Sequence, residues 1–336
     1  MAQSDHLKAL VRAHTLGDER AFRDAAESLI DEEGRKGHRL VARDLKRLLD
    51  PAPGFAPPMP GPRKPPDIPQ DEERGMPLAE VEEPTFGLER VVLAENVRAT
   101  LIGLVEDYQA RELFASYGLE PKQRILFFGP PGCGKTITAR AVAGELGLPL
   151  LYVRFDSLVS SYLGQTAANL RKLFEYARRS RWVILFDEFD AVGRSRDDPT
   201  EHGELKRVIN SILQLMDGLH GHSMLIAATN HEHALDPALW RRFDEIARFD
   251  PPTELQRIAL LRGFLTGFKH LETDLRVIAA DTRGLTGSDL ERVAVDAVKQ
   301  AILAHRQAVE LDDLRLALKR QRERIALAQL QEPAQV

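Results

Sequence analysis

The segment Gly129-Pro130-Pro131-Gly132-Cys133-Gly134-Lys135-Thr136 constrains this chain more than any other. It is a complete G-x-x-x-x-G-K-T run. An apolar stretch, Ile125 to Phe128, precedes it, and a helix-compatible stretch, Ile137 to Leu146, follows. A strand that enters a glycine loop and leaves as a helix is the setting in which such a run cradles phosphate. Glycines let the backbone curl until successive N–H groups face an anion, and the positive end of the following helix adds to that field. Lys135 can reach the β- and γ-phosphates, and the Thr136 hydroxyl can ligate Mg²⁺. The alternative is a chance glycine turn. Eight matching residues in the right context argue against it.

The rest of the composition narrows the class. With 336 residues, 43% of them hydrophobic and 29% charged, the chain has room for two or three units with real cores. Its net charge of −5 gives no global field favouring nucleic acid, so no nucleic-acid partner is expected. One cysteine excludes an internal disulfide framework and suits a reducing compartment. No apolar run approaches the length of a bilayer span, and the residues from Met1 to His6 lack the layout of a secretion signal. A cytoplasmic location is the expectation.

Four regions are expected. Residues 1–50 read as a small bundle of three helices, with stripes at Leu7/Leu10/Val11, Phe22/Ala25/Ala26/Leu29/Ile30 and Leu40/Val41/Leu45/Leu48/Leu49. Ten acidic residues balance ten basic ones there, so it reads as a protein-contact module or a helical cap. Residues 51–84 read as a linker, because nine of the twenty prolines fall between Pro51 and Pro69 and such a stretch cannot build a core. Residues 85–250 alternate apolar strand-like runs (Leu150 to Phe155, Trp182 to Phe186, Met224 to Thr229, Ile246 to Phe249) with helical stripes. That alternation predicts an α/β domain with a parallel sheet covered on both faces. Residues 251–336 carry helical stripes alone and read as a helical lid.

Two further sites join the phosphate loop. The run Val183 to Phe186 ends in Asp187-Glu188. Ligands of open α/β sheets sit at the carboxyl ends of strands, so Asp187 is placed to support the metal and Glu188 to polarise an attacking water. Asn230 ends the next strand, where an amide can hold that water or sense a γ-phosphate. A loop-forming Asn is the plainer alternative. Cys133 lies beside Lys135 and a helix N-terminus, a setting that predicts a lowered thiol pKa. The spacing of His231-Glu232-His233 does not match a zinc motif.

These motifs, with Asp187-Glu188-Phe189-Asp190, Ala227-Ala228-Thr229-Asn230 and Leu235 to Leu239, occur in the order seen in AAA-family ATPases, which the chain resembles from about 85 to 310. The segment Ser157 to Gly164 resembles the katanin and spastin group of disassembly ATPases. The resemblance implies ATP and Mg²⁺ as ligands, a homo-hexameric ring, and a protein substrate or adaptor met through the N-terminal bundle. It implies that Tyr162-Leu163-Gly164 is a pore loop gripping polypeptide, with a packed Tyr162 as the alternative. Ser195 to His202 fall where a second pore loop would lie. It implies that Arg242 reaches the neighbouring subunit's γ-phosphate, with Arg241 beside it, although the run Trp240 to Phe243 is shorter than the family's pattern. Thr286-Gly287-Ser288-Asp289 resembles the lid motif, placing Gly287 and Ser288 near adenosine, while Thr286 and Asp289 predict a capping box. The base pocket is expected around Phe86 to Val92. A separate protease is a further expected partner, although Pro333 to Val336 lacks the tail pattern that docks proteasomal ATPases. Two other functions stay open: a nucleotide-gated switch without threading, and a DNA-transaction ATPase, which the acidic balance and a missing lid arginine disfavour.

Overall fold

The computed structural model describes residues 24–26, 28–30, 67–72, 75–154, 158, 163–189, 211–212, 214–216, 218, 223–230 and 240–329. The chain divides into two compact units, Met1–Pro66 and Asp67–Val336. In the first, residues 24–26 and 28–30 are helical, inside the stripe of Ala25, Ala26, Leu29 and Ile30. The other two helices expected there lie outside the described residues.

The second unit runs β1 (Ala79–Glu82), α1 (Glu95–Gln109), α2 (Arg111–Ser116), β2 (Arg124–Phe128), α3 (Lys135–Leu146), β3 (Leu150–Val153), α4 (Leu163–Ala177), β4 (Val183–Phe186), β5 (Met224–Thr229) and β6 (Glu245–Arg248). Four helices follow: α5 (Glu254–Phe264), α6 (Glu272–Asp281), α7 (Gly287–Leu303) and α8 (Leu311–Gln329). The six strands form one sheet in the order β1-β3-β4-β5-β2-β6. All neighbours are parallel except β1, which runs antiparallel to β3.

Side chains alternate across the sheet, so its four inner strands each feed two cores. Ile125 and Phe127 of β2 pack with Leu101 and Leu104 of α1 and with Ala139 and Val142 of α3 on one face. Leu126 of β2 points to the other face, with Leu170 and Phe174 of α4 and Phe186 of β4. Central β5 is buried along all six residues, which is why it reads as a continuous apolar run. A third core, including Leu261, Leu275, Leu290 and Leu314, joins α5 to α8.

The edge strand β1 was not foreseen. It lies in the stretch read as linker, and its sequence, Ala79-Glu80-Val81-Glu82, is short and half acidic. Ala79 is fully buried and Val81 packs on the core, while Glu80 is exposed and Glu82 is half-buried against Arg140 of α3. Short, charged strands are a common way to blunt a sheet edge, and they carry little signal. Just before β1, a turn closes through Asp71 N–H to Met76 O (2.9 Å) and Gly75 N–H to Asp71 O (2.8 Å). Asp71, 1% exposed, accepts a 3.0 Å hydrogen bond from Gln165 of α4, and Glu72 pairs with Lys172 of the same helix at 2.6 Å.

Candidate nucleotide site

The phosphate loop leaves β2 at Gly129 and enters α3 at Lys135. Gly129, Gly132 and Gly134 have φ of 138°, 74° and 94°, a region that side chains with a Cβ rarely adopt. Two of these also lack room for one. A Cβ on Gly129 would lie 2.0 Å from the Phe249 carbonyl oxygen, just past β6. A Cβ on Gly132 would lie 2.2 Å from Ser288 Oγ and 2.8 Å from Thr286 Oγ1. The loop is thus clasped between the end of β6 and the start of α7. Lys135, 6% exposed, donates from Nζ to the carbonyls of Gly129 (2.7 Å) and Pro130 (2.9 Å). Its charge is therefore held over the loop. Pro130 and Pro131 are exposed on the loop's outer side.

The carboxylates come from β4, two strands away, with β5 between. Thr136 Oγ1 donates to Asp187 Oδ2 at 2.7 Å, and Asp187 Oδ1 accepts the Glu188 N–H at 2.9 Å. Both oxygens of Asp187 are thereby oriented. A hydroxyl and a carboxylate in contact form an oxygen donor set of the kind Mg²⁺ takes alongside phosphate oxygens and water. Among the described residues no group of three or more His, Cys, Asp or Glu is arranged to hold a metal. Glu188 is exposed and has φ of 51°, uncommon for a residue with a side chain. Such conformations cluster at functional sites. Asn230 follows β5, the strand that separates the loop from Asp187, so topology sets it between the two.

Residues that sequence reasoning passed over line this side. Arg140 of α3 makes a bidentate pair with Glu82 of β1 (2.6 and 3.0 Å), which raises the guanidinium and lowers the carboxyl from their ordinary values. Tyr152 of β3 pairs in register with Leu185 of β4. Burial first, then the charges of Asp187 and Glu188, push its phenol upward. Strand register places Tyr152, and the packing of α3 beside β1 places Arg140, and neither leaves a local motif.

Cys133 requires a correction. The expected drop in thiol pKa is not found. Burial is the largest influence and raises it, Lys135 opposes, and Asp250 and Asp289 add to the rise. Half-burying a thiol against the sheet core outweighs one cation.

The lid meets the loop at the start of α7. Thr286 caps α7 in a reciprocal capping box with Asp289. The Ser288 N–H donates to the Gly132 carbonyl at 3.2 Å, and a Cβ on Gly287 would lie 3.1 Å from that same oxygen. On the opposite side, Phe86 to Leu88 lie against α3, with the Leu88 N–H donating to Glu145 at 3.1 Å. The Trp240 to Asp244 run is anchored at both ends. Trp240 meets Phe128 edge-on with ring centroids 5.3 Å apart, Phe243 is 7% exposed, and Asp244 accepts from the backbone N–H groups of Gln123 and Arg124, both at 2.9 Å. Arg241 and Arg242 stand exposed between these anchors. Tyr162, the second pore-loop segment, Leu235 to Leu239 and His231-Glu232-His233 lie outside the described residues. Leu163 and Gly164 form the first turn of α4.

A parallel sheet, a phosphate loop and a paired carboxylate across one intervening strand define a nucleoside triphosphatase with a helical lid. Residues 125–251 match the family model described as "ATPase family associated with various cellular activities (AAA)". The uncharacterized AAA family ATPase y4kL of Sinorhizobium fredii is 40% identical over 95% of both chains. This protein belongs to the AAA family of ATPases and hydrolyses ATP. The proteasome-activating nucleotidases of Pyrococcus abyssi and Thermococcus kodakarensis are each 39% identical over 60% of this chain. The chain spans about half the length of those relatives, 53% of each. Among the described residues no helix is long and apolar enough to cross a membrane.

Proposed function

We propose that the protein is an ATP-driven unfoldase or remodeller that works as a ring, with each nucleotide sandwiched between adjacent copies. The observation that carries this reading is the turn Trp240 to Asp244. Two exposed arginines are fixed on a support that is buried or hydrogen-bonded at both ends. Such a support leaves the backbone that carries the guanidinium groups less conformational freedom to lose on assembly. The likeness to proteasome-activating nucleotidases supports the motor class and a separate protease as partner.

In this reading the loop N–H groups and Lys135 bind the phosphates, and Gly287 and Ser288 close the adenosine side. Thr136 and Asp187 would hold Mg²⁺, which would supply charge neutralisation at the phosphates. Glu188 takes the proton of the attacking water, and Asn230 orients that water. Arg242 of the next copy stabilises charge on the transferring phosphoryl group. Tyr162-Leu163-Gly164 grips the polypeptide, and the N-terminal bundle selects it.

Mixing tests the shared site. Lys135→Ala and Arg242→Ala are each expected to lose nearly all turnover. Mixed, they are expected to regain part of it, because some interfaces then join an intact Lys135 to an intact Arg242. No recovery on mixing two assembled variants refutes catalysis in trans. Unfolding of a tagged fluorescent reporter by the parent protein, lost in Tyr162→Ala with ATP turnover retained, separates a threading motor from a nucleotide-gated switch.

A further inference from the structure

The buried stripe of α8 carries two polar positions, Asp313, which pairs with Arg306, and Gln321. Leu314, Ala317 and Leu318 are buried, Ile325 packs on the same core, and Gln321 lies between them at 6% exposure. A side-chain amide in that place is costly unless it is hydrogen-bonded. Gln321 Nε2 donates to Asp289 Oδ1 at 2.8 Å, across 32 residues of sequence. The other oxygen of Asp289 accepts from the Thr286 N–H (2.9 Å) and the Thr286 hydroxyl (2.7 Å). That hydroxyl lies 3.1 Å from Ser288 Oγ, and the Ser288 N–H bonds the Gly132 carbonyl. An unbroken hydrogen-bonded line thus runs from the last helix, through the cap of α7, to the phosphate loop.

A capping box uses only one oxygen of its carboxylate. The second oxygen of Asp289 is part-buried and needs a donor of its own, and Gln321 supplies it. We propose that Gln321 is a positioning residue for nucleotide binding: it holds Asp289 in the rotamer that closes the α7 cap, and so sets the first turn of α7 against Gly132. The inference rests on Gly287 and Ser288 forming the adenosine side of the site. The C-terminal helix then becomes part of the nucleotide clamp, although it touches neither the loop nor the sheet carboxylates through Gln321.

The test measures equilibrium binding of a fluorescent ADP analogue to the full chain, with thermal unfolding in parallel. Gln321→Leu keeps the stripe apolar and close in volume, so it is expected to fold. It is expected to bind about tenfold more weakly, because a carboxylate oxygen loses its donor. Gln321→Glu sets a second carboxylate against Asp289 and is expected to bind more weakly still. Adding Asp289→Asn to Gln321→Glu rebuilds the pair with donor and acceptor exchanged, and most of the affinity is expected to return. A purely structural role predicts no such rescue. The proposal is overturned if Gln321→Leu binds as tightly as the parent, or if the double variant binds no better than Gln321→Glu alone. Asp289→Ala separates the two layers of inference. If it weakens binding while Gln321→Leu does not, Gln321 is no positioning residue and the adenosine-side reading survives. If neither weakens binding, both fail.

Discussion

Helix propensity and tertiary packing make opposite predictions for Gly144→Ala. Gly144 lies in the last turns of α3, where alanine is normally favoured over glycine by about 1 kcal/mol. Here the added Cβ would lie 1.9 Å from the Phe86 carbonyl oxygen and 2.6 Å from its carbon. Both are backbone atoms, so no side-chain rotation relieves the clash and the Phe86 to Leu88 segment must lift away. Overpacking of this kind costs about 1–3 kcal/mol. Lifting also breaks the hydrogen bond from Leu88 to Glu145, worth about 1.5 kcal/mol with a charged acceptor. Set against the propensity gain, the net effect is a destabilisation of about 1.5–3.5 kcal/mol, a fall in Tm of roughly 3–14 °C for a unit of this size. Gly103→Ala, in α1, is the matched control. It has no heavy atom within 4 Å of its Cβ position, so it is expected to gain about 1 kcal/mol and raise Tm by about 2–4 °C. Thermal unfolding by circular dichroism reads both. If Gly144→Ala raises Tm as much as Gly103→Ala does, the packing of Phe86 to Leu88 on α3 is wrong.

Two predictions concern ionisation. Because burial raises the Cys133 thiol, little thiolate forms at neutral pH. Iodoacetamide is expected to label it more slowly than a small free thiol at pH 7, with the rate climbing only above the ordinary thiol range, and faster labelling at pH 7 refutes this. Asp313 accepts a bidentate pair of hydrogen bonds from Arg306 (2.8 and 2.7 Å) and one from the Glu310 N–H, which together hold its carboxyl below the usual range. The folded value lies below the unfolded one, so this contribution is present above the unfolded value of about 3.9 and is lost as pH falls through the folded one. Asp313→Asn is expected to flatten the acid limb of a Tm-against-pH profile, and an unchanged limb refutes the linkage.

The positions legible in sequence are those whose neighbours in the chain are also their partners in space. The phosphate loop is one contiguous run, so its glycines and Lys135 announce themselves. The capping box of Thr286 and Asp289 spans a single helical turn, and it forms as its pattern predicts. The buried strands β2, β4 and β5 read correctly because both faces are covered and the apolar run is unbroken. Cys133 was misread because local charge is visible in sequence, whereas burial against the sheet is not. Edge strand β1 was missed because only its pairing with β3 makes four half-acidic residues a strand.

By itself, the sequence determined that a glycine loop of the phosphate-binding pattern follows a buried strand, and that carboxylates end another such strand. Periodicity and glycine placement act over a few residues, and those few residues carry the signal. The tertiary structure alone decided that β5 lies between β2 and β4, so that Asn230 falls between the loop and Asp187. It alone brought Thr136 within 2.7 Å of Asp187, and it alone joined Gln321 to Asp289. Those contacts depend on strand order and helix packing, which arise from the burial of whole faces and leave no local mark on the chain.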